Sequence, residues 1–284
     1  MIRTRPTLAA IFAIFSSVTA SSHAATLLYD PFNQPEGALD GTSSTGGSPA
    51  AIWPTEGQNY TTPAGATQVA SGSLSGSVLT QGNRAVIGDN NGNDQIFRLF
   101  GTTLGGPGTD LWLSFLISAP SAKISQVLSL FNGTQETLAI GVNASTVFGM
   151  SVRTNGATTT AGNPSVSTGL APDNNAHFMV VHLQLVEGTG NSTFSFFADP
   201  DVSSYGGAAP TGSFTGVFSG NNSLPFQFDR IRLGEFSGTT TAFDEIRIGD
   251  SWADVSPVPE PTSAICAALG AILLGVRRRQ KSSL

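Results

Sequence analysis

The sequence predicts an all-β fold, an antiparallel β-sandwich of two curved sheets in jelly-roll order. The first observation is the composition, because 33 Gly and 16 Pro with only 11% charged residues favour strands joined by turns over helices. The second is that short apolar or alternating runs recur between turn signals, and the third is that 25–256 shows no long helical period with caps. Many short strands in a chain of this length are typical of a sandwich.

Eleven runs have the apolar or alternating pattern of strands. They are Leu27–Phe32, Arg84–Ile87, Gln95–Phe100, Leu111–Ser118, Gln126–Phe131, Thr137–Val142, Val147–Val152, His177–Val186, Thr193–Ala198, Phe226–Leu233 and Ala242–Ile248. Clusters of Gly and Asn separate them, such as Asn132-Gly133, because these residues tolerate the backbone angles of tight turns.

One heptapeptide pattern occurs twice near the end of the domain. Phe228–Gly234 resembles Phe243–Gly249, and the Gly/Thr-rich segment between them predicts a hairpin. Both strands carry arginines and acids, which we interpret as cross-strand ion pairs on a solvated sheet face rather than an anion site. These residues are Asp229, Arg230, Arg232, Asp244, Glu245 and Arg247.

The N-terminus has the pattern of a cleaved export signal. Arg3 and Arg5 precede the short apolar run 8–15, and Ser22 and Ala24 are small residues at the −3 and −1 positions of a cleavage site. We therefore predict a signal peptide at 1–24 and an exported domain at 25–256.

The C-terminus, residues 257–284, has the pattern of a weak membrane anchor. A proline-rich segment, 257–261, ends the fold, and the apolar run 262–276 follows it. This run predicts a short transmembrane helix of about 22 Å, against a hydrocarbon core of about 30 Å. Arg277, Arg278 and Arg279 orient it with the C-terminus in the cytoplasm.

The same segment resembles the PEP-CTERM sorting signal of exported bacterial proteins. The resemblance is carried by Pro259, Glu260 and Pro261, the short apolar helix and the basic cluster near the end of the chain. It implies processing by an exosortase in a bacterium that has an outer membrane and makes an exopolysaccharide or biofilm matrix. We expect transient anchoring in the inner membrane, cleavage near 259–261, and a final location at the cell surface or in the extracellular matrix.

Most of 25–256 resembles LamG-like, concanavalin A-like jelly-roll domains. The similar segments are short and apolar, so they imply a fold rather than an activity. They are Leu28–Phe32, Gly37–Gly41, Leu111–Phe115, Leu128–Phe131, His177–Val181 and Phe243–Ile248.

Charge and cysteine usage exclude some functions. Residues 25–256 hold seven basic and 18 acidic residues, a formal charge of −11, which repels phosphate backbones and disfavours a nucleic-acid partner. Cys266, within the predicted membrane helix, is the only cysteine. The exported part therefore has no disulfide, no cysteine-type zinc site and no catalytic cysteine.

No motif for catalysis stands out, and we expect a non-catalytic protein. The chain lacks the Glu-x-Asp-x-x-Glu strand of retaining glycosidases with this fold, a Gly-x-Ser-x-Gly elbow and a P-loop. His177 and His182 have opposite parity on one predicted strand, so they are expected on opposite faces.

Two candidate binding features remain. Asp89, Asn91, Asn93 and Asp94 offer oxygen atoms as a calcium loop would, but the closing acid is missing, and a polar hairpin turn between 84–87 and 95–100 explains them equally well. No other cofactor is predicted. The candidates for stacking on sugar rings are Trp53, Tyr60 and Trp252, whereas Trp112 is expected in the core.

Three classes of function stay open. The first is a non-catalytic surface or matrix protein whose sandwich binds exopolysaccharide or simply fills the matrix. The second is a glycan-active enzyme with an unrecognised site, and the third is a protein-binding adhesion module. Clustered aromatics in a groove favour the first, carboxylates converging in a cleft favour the second, and a flat apolar patch favours the third.

Overall fold

The computed structural model describes most of the predicted exported domain. The described residues are 26–39, 67–75, 78, 80, 82–88, 94–120, 126–142, 146–152, 165–186, 192–212, 214–218, 226–236 and 238–257. The predicted signal peptide, Trp53, Tyr60, the first three calcium candidates (Asp89, Asn91 and Asn93) and everything from 258 onward lie outside them. None of the helices formed by the described residues is long and apolar enough to span a bilayer.

The described residues form fifteen strands, a one-turn 3-10 helix at Val202–Ser204 and a short helix α1 at Trp252–Val255. The strands are β1 (Leu28–Asp30), β2 (Gly37–Ala38), β3 (Thr67–Ala70), β4 (Arg84–Ile87), β5 (Asp94–Gly105), β6 (Asp110–Ser118), β7 (Gln126–Asn132), β8 (Gln135–Val142), β9 (Phe148–Val152), β10 (Ser165–Ser167), β11 (Ala176–Gln184), β12 (Ser192–Ala198), β13 (Phe214–Phe218), β14 (Gln227–Glu235) and β15 (Thr241–Gly249).

The strands form two antiparallel sheets that pack face to face. The nine-stranded sheet has the order β13-β12-β11-β6-β15-β4-β3-β2, with β1 also paired to β15. The six-stranded sheet has the order β10-β9-β8-β7-β14-β5. The predicted antiparallel β-sandwich is confirmed.

All eleven predicted strands are present, and four further strands were not predicted. The four are β2, β3, β10 and β13, which have two to five residues each. Three of them are the outermost strands of their sheets, and β3 is next to the edge. Edge strands bury little surface, so they need no regular apolar pattern and leave a weak signal in the sequence.

The main core lies between the sheets and contains alternate residues of the central strands. Leu113 and Phe115 of β6 point into it from the nine-stranded sheet, and Leu128 and Leu130 of β7 point into it from the six-stranded sheet. All four are at most 1% exposed. Because side chains of a strand alternate between faces, the odd positions of β6 and the even positions of β7 form one continuous apolar layer.

A second, smaller core covers the outer face of the nine-stranded sheet. It contains the even residues Trp112 and Leu116 of β6 together with Phe178 of β11, and Trp252 and Val255 of α1 pack on them. The hydroxyl of Ser114 donates to the carbonyl of Val255 at 2.7 Å, which fixes α1 on this face. The nine-stranded sheet is therefore apolar on both faces near its centre.

The predicted hairpin between the two repeated segments is wrong. β14 pairs with β5 and β7 in one sheet, whereas β15 pairs with β1, β4 and β6 in the other. Each strand has an apolar face, and Ile231 and Ile248 lie in the same core from opposite sheets. The five residues between β14 and β15 can span at most about 18 Å, which is enough to link strands of two sheets packed about 10 Å apart.

The alternative interpretation of 89–93 as a hairpin turn is also wrong. β4 belongs to the nine-stranded sheet and β5 to the six-stranded sheet, so the segment between them connects the two layers. The alternation in these two runs reflects one buried face on each strand, and this feature does not identify the pairing partner.

A buried ion pair connects the two sheets through the main core. Asp30 of β1 and Arg98 of β5 are both 0% exposed, and Arg98 Nη1 lies 2.5 Å from Asp30 Oδ2. The other carboxylate oxygen accepts a hydrogen bond from the backbone of Phe32 at 2.9 Å. Burial lowers the pKa of Arg98, and the charge of Asp30 opposes this shift.

The substitution Asp30→Asn tests the contribution of this pair to stability. It leaves the charge of Arg98 in the core without its counter-charge, and we expect the free energy of unfolding to fall by about 3–5 kcal/mol. Urea denaturation measures this difference.

Asp229→Asn is the matched control, since it removes the partner of Arg230 in a partly exposed pair. We expect a loss below about 1 kcal/mol for the control. Equal losses in the two variants would contradict a structural role for the inter-sheet pair.

Candidate functional site

A cavity of about 530 Å³ lies where the chain leaves β12. This volume is within the range of small-molecule sites. Its apolar wall is formed by Phe197, Ala198, Pro200, Ala208, Ala209 and Pro210. Its polar wall includes Asp199, Asp201, Ser203, Ser204 and Thr211. The cavity therefore combines apolar surface with carboxylates and hydroxyls.

Asp199 is fixed against β11 by its backbone and by its carboxylate. Its φ is +46°, in the left-handed region that aspartate tolerates better than most residues. Its N–H donates to the carbonyl of Phe178 at 2.8 Å, and its Oδ1 accepts from the N–H of Phe178 at 2.8 Å. The turn that begins the cavity wall is therefore anchored to a central strand.

His177 joins two aspartates at this end of the sheet. Its Nδ1 lies 2.7 Å from Asp199 Oδ2, and its Nε2 lies 2.9 Å from Asp173 Oδ1. Burial by itself lowers the pKa of His177, but the hydrogen bonds and charges of the two aspartates outweigh it and raise that pKa above the ordinary value. The hydrogen bond to His177 lowers the pKa of Asp173, with Asn175 adding to the effect.

Asp201 is the second carboxylate of the cavity wall and is exposed. Its Oδ1 accepts from the N–H of Ser203 at 2.8 Å, which caps the 3-10 helix. This hydrogen bond lowers the pKa of Asp201, so its charge persists into acid. Asp199 and Asp201 are not among the site residues predicted from the sequence. The signal available was an Asp-Pro-Asp turn directly after an apolar strand.

Trp252 supports the cavity from within the protein and is not an exposed aromatic. It is 5% exposed, and its Nε1 donates to the carbonyl of Ser204 at 2.9 Å. Its ring centroid lies 5.7 Å from that of Trp112 and 6.3 Å from that of Tyr205. The expectation that Trp252 is an exposed, sugar-stacking residue in a loop is therefore wrong, because α1 places its ring against the outer face of the sheet. The Ser251-x-x-Asp254 capping box was the signal for this helix. The expected core position of Trp112 is confirmed.

The two histidines of β11 face opposite sides of the sheet, as predicted. His177 packs toward Phe148 of the other sheet, with ring centroids 5.0 Å apart. His182 stacks on Trp112 on the outer face, at 3.9 Å between centroids, and its Nε2 forms a hydrogen bond with Asp110. The two histidines therefore do not form one site.

The charged residues of the repeated segments form ion pairs, but not the predicted ones. Arg230 pairs with its neighbour Asp229 at 2.9 Å, and Arg247 pairs with Glu245 of its own strand at 2.8 Å. Arg232 pairs with Glu136 of β8. The expected cross-strand pairs cannot form, since β14 and β15 belong to different sheets.

A carboxyl group with a strongly raised pKa lies in the interior, away from the cavity. Burial is the largest effect and raises the pKa of Asp244 to about 8. Asp244 Oδ2 accepts from the N–H of Leu74, and its Oδ1 accepts from the N–H of Glu245, both at 2.8 Å. Asp244 is 0% exposed and Glu245 is 2% exposed, so a large substrate has no access to either.

Asp94 is the one calcium candidate within the described residues. It is the first residue of β5, is 0% exposed, and lies opposite Glu235 of β14. In the described part of the chain, no group of three or more His, Cys, Asp or Glu side chains is arranged to hold a metal ion. A calcium site that includes 89–93 stays a prediction.

Comparisons with known proteins do not assign a family. No family model matches the chain, and no curated protein matches it. Solved structures that resemble it include endo-beta-1,4-glucuronan lyase from the fungus Trichoderma reesei, with 14% identity over 82% of this chain and 99% of that chain and a TM-score of 0.45. Endo-1,3-beta-glucanase from Streptomyces sioyaensis has 12% identity over 80% and 96%, with a TM-score of 0.45. A legume lectin-like domain from Entamoeba histolytica has 10% identity over 63% and 89%, with a TM-score of 0.38. Similarity at this level identifies neither a ligand nor an activity.

His177→Gln tests the charge of the histidine beside the cavity. The stability contributed by protonated His177 is fully present below its ordinary pKa of about 6.5 and is lost as the pH rises through its raised folded-state pKa. The stability contributed by Asp173 is present above its ordinary pKa of about 3.9 and is lost as the pH falls through its lowered folded-state pKa.

We therefore expect the stability difference between wild type and His177→Gln to be largest between about pH 4 and 6.5 and to shrink at alkaline pH. Urea denaturation across this range measures it. Asp173→Asn in the same assay should reduce the pH dependence. A difference that stays constant from acid to alkaline pH would show that His177 acts through packing alone.

Proposed function

We propose that this chain is an exported, non-catalytic surface or matrix protein whose sandwich domain binds a polysaccharide. The observation that carries the proposal is the cavity beside β12. Sugars present hydroxyl groups, which donate to carboxylates such as those of Asp199 and Asp201, and C–H faces, which pack on apolar groups such as Phe197 and Pro200. The proposal does not rest on the similar solved structures, since their TM-scores are below 0.5.

The contacts of the titratable groups favour binding over catalysis. Both ring nitrogens of His177 are engaged by carboxylates, so neither is available to take a proton from a nucleophile. Asp244 has the raised pKa that suits a general acid, but it is buried and accepts two backbone hydrogen bonds. A glycan-active enzyme is therefore the weaker alternative.

The exposed apolar side chains give little support to the alternative of a protein-binding module. Within the described residues, the exposed large hydrophobic residues are Leu27, Leu99, Val186 and Val202. They belong to four different segments of the chain. A protein-binding surface normally needs a contiguous patch of several hundred Å².

The two proposed export segments would join the domain at neighbouring points. The N–H of Leu27 donates to the carbonyl of Ile248 at 2.8 Å, and the hydroxyl of Thr26 lies 3.5 Å from the carbonyl of Asp254. Pro257 is buried at the C-terminal side of this contact. With both segments attached at neighbouring points, both could reach the same membrane while the domain stays outside it, as the proposed export route requires.

Ala209→Trp tests binding at the cavity. Ala209 lines the cavity and is exposed, so an indole ring at this position fills the cavity without disturbing the core. We expect affinity for the bound polysaccharide to fall at least about tenfold, which corresponds to 1.4 kcal/mol, in a biolayer interferometry assay of the full chain.

Ala38→Trp places the same ring on the exposed edge strand β2 and should leave affinity unchanged. The same samples should release no reducing sugar from the polysaccharide. Unchanged affinity in Ala209→Trp would place binding elsewhere, and sugar release that depends on a single Asp or Glu would favour the enzyme.

Mass spectrometry of the exported, surface-located protein tests the proposed processing. An apolar run of 15 residues is short for a permanent span of about 20 residues, which suits an anchor that is removed. We expect an N-terminus at Ala25 and a C-terminus near Pro259–Pro261. A mature form that is intact through Leu284 would mean that the tail is a permanent anchor.

A further inference from the structure

Among the described residues of the cavity wall, the only ionisable side chains are two aspartates. These are Asp199 and Asp201, and the lining contributed by the described part of the chain includes no lysine, arginine or histidine. The arginines of the described residues are engaged elsewhere: Arg98 in the core, Arg84 with the carbonyls of 71 and 72, and Arg230, Arg232 and Arg247 in ion pairs on other strands. The acidic character of the cavity is therefore not neutralised by these side chains.

The two carboxylates differ in how far their charge is compensated. Asp199 faces His177, whose pKa is raised, so at mildly acidic pH a protonated imidazole balances Asp199 together with Asp173. For Asp201, the contacts that lower its pKa are hydrogen bonds from the backbone and the side chain of Ser203, and neither donor is charged. Of the two carboxylates, Asp201 is therefore the one better placed to pair with a cationic group of a ligand.

The remaining lining is suited to a sugar ring rather than to a bare cation. Phe197, Pro200 and Pro210 supply apolar surface for a C–H face, and Ser203 and Thr211 supply hydroxyls that both donate and accept. A uronate would bring its carboxylate against Asp201 and against a domain with a formal charge of −11.

We propose that the cavity selects a polysaccharide that carries free ammonium groups, such as a partly deacetylated amino-sugar polymer. An ammonium group gains Coulombic attraction and charge-assisted hydrogen bonds from Asp201 that an acetamido group does not. This inference rests on the proposed function, since it names the class of glycan that the same cavity binds.

The experiment compares defined probes on the full chain at about pH 5, where the amine of an amino sugar is protonated and Asp201, whose pKa is lowered, keeps its charge. The probes are a glucosamine hexamer, the matching N-acetylglucosamine hexamer, a glucuronate oligomer, spermine and calcium chloride. We expect the glucosamine hexamer to bind at least about tenfold more tightly than the acetylated hexamer, and this preference to weaken with salt.

Two variants with the same net charge locate the preference. Asp201→Asn keeps an acceptor for the N–H of Ser203 but removes the charge, and it should reduce the preference about tenfold. Asp229→Asn removes one charge from the six-stranded sheet and should leave the preference unchanged. An equal effect of the two variants would overturn the proposal, because it would indicate general attraction to an acidic protein.

The remaining outcomes separate this inference from the proposed function. Equal or tighter binding of the acetylated hexamer or of the glucuronate oligomer would overturn the charge selectivity and leave glycan binding intact. Binding of spermine as tight as that of the hexamer would overturn the sugar class, and calcium binding that is lost in Asp201→Asn would indicate a metal site instead. Failure of all probes would contradict both the inference and the proposed glycan binding.

Discussion

Asp30 and Arg98 form an ion pair inside an apolar core, and this contact links the two sheets. Asp30 belongs to the nine-stranded sheet and Arg98 to the edge strand of the six-stranded sheet. Transfer of these charges from water carries a high desolvation cost, which only close contact offsets. A slip of one sheet against the other would leave both charges buried and separated. Separated in this way, the charges would lose the contact that offsets their desolvation, so the ion pair opposes such a slip.

The cavity is a consequence of how the outer face of the nine-stranded sheet is covered. Trp112 and Phe178 lie on that face and are buried by α1 and by the turn that contains the 3-10 helix. That turn is held to the end of the domain, since Ser204 accepts from Trp252 and Gly206 donates to Ser256 at 3.3 Å. The residues that shape the cavity are therefore coupled to the point where the chain leaves the domain. In the proposed processing, the cut would lie only a few residues beyond this contact.

Charge has separate roles inside the domain and on its surface. The arginines of the described residues satisfy carboxylates or carbonyls within the fold, and Arg232 also lies 4.7 Å from the ring of Phe131. Acids such as Asp199 and Asp201 remain at the surface, where they give the cavity its negative potential. Low charge content and few basic residues thus leave a polar surface made of hydroxyls, amides and carboxylates, which are the groups that neutral or cationic sugars contact.

The sequence by itself determined the fold class and the central strands, because a strand with one buried face must alternate or be continuously apolar. It also determined that His177 and His182 face opposite sides, since parity along a strand is a local property. Only the tertiary structure decided which strands pair, that the segments at Phe228 and Phe243 belong to different sheets, and that Trp252 is buried. The cavity belongs to this second group. Its described lining comes from the single segment 197–212, but Phe178 and Trp252 hold that segment in place through Asp199 and Ser204, and contacts between distant segments leave no periodic trace in the sequence.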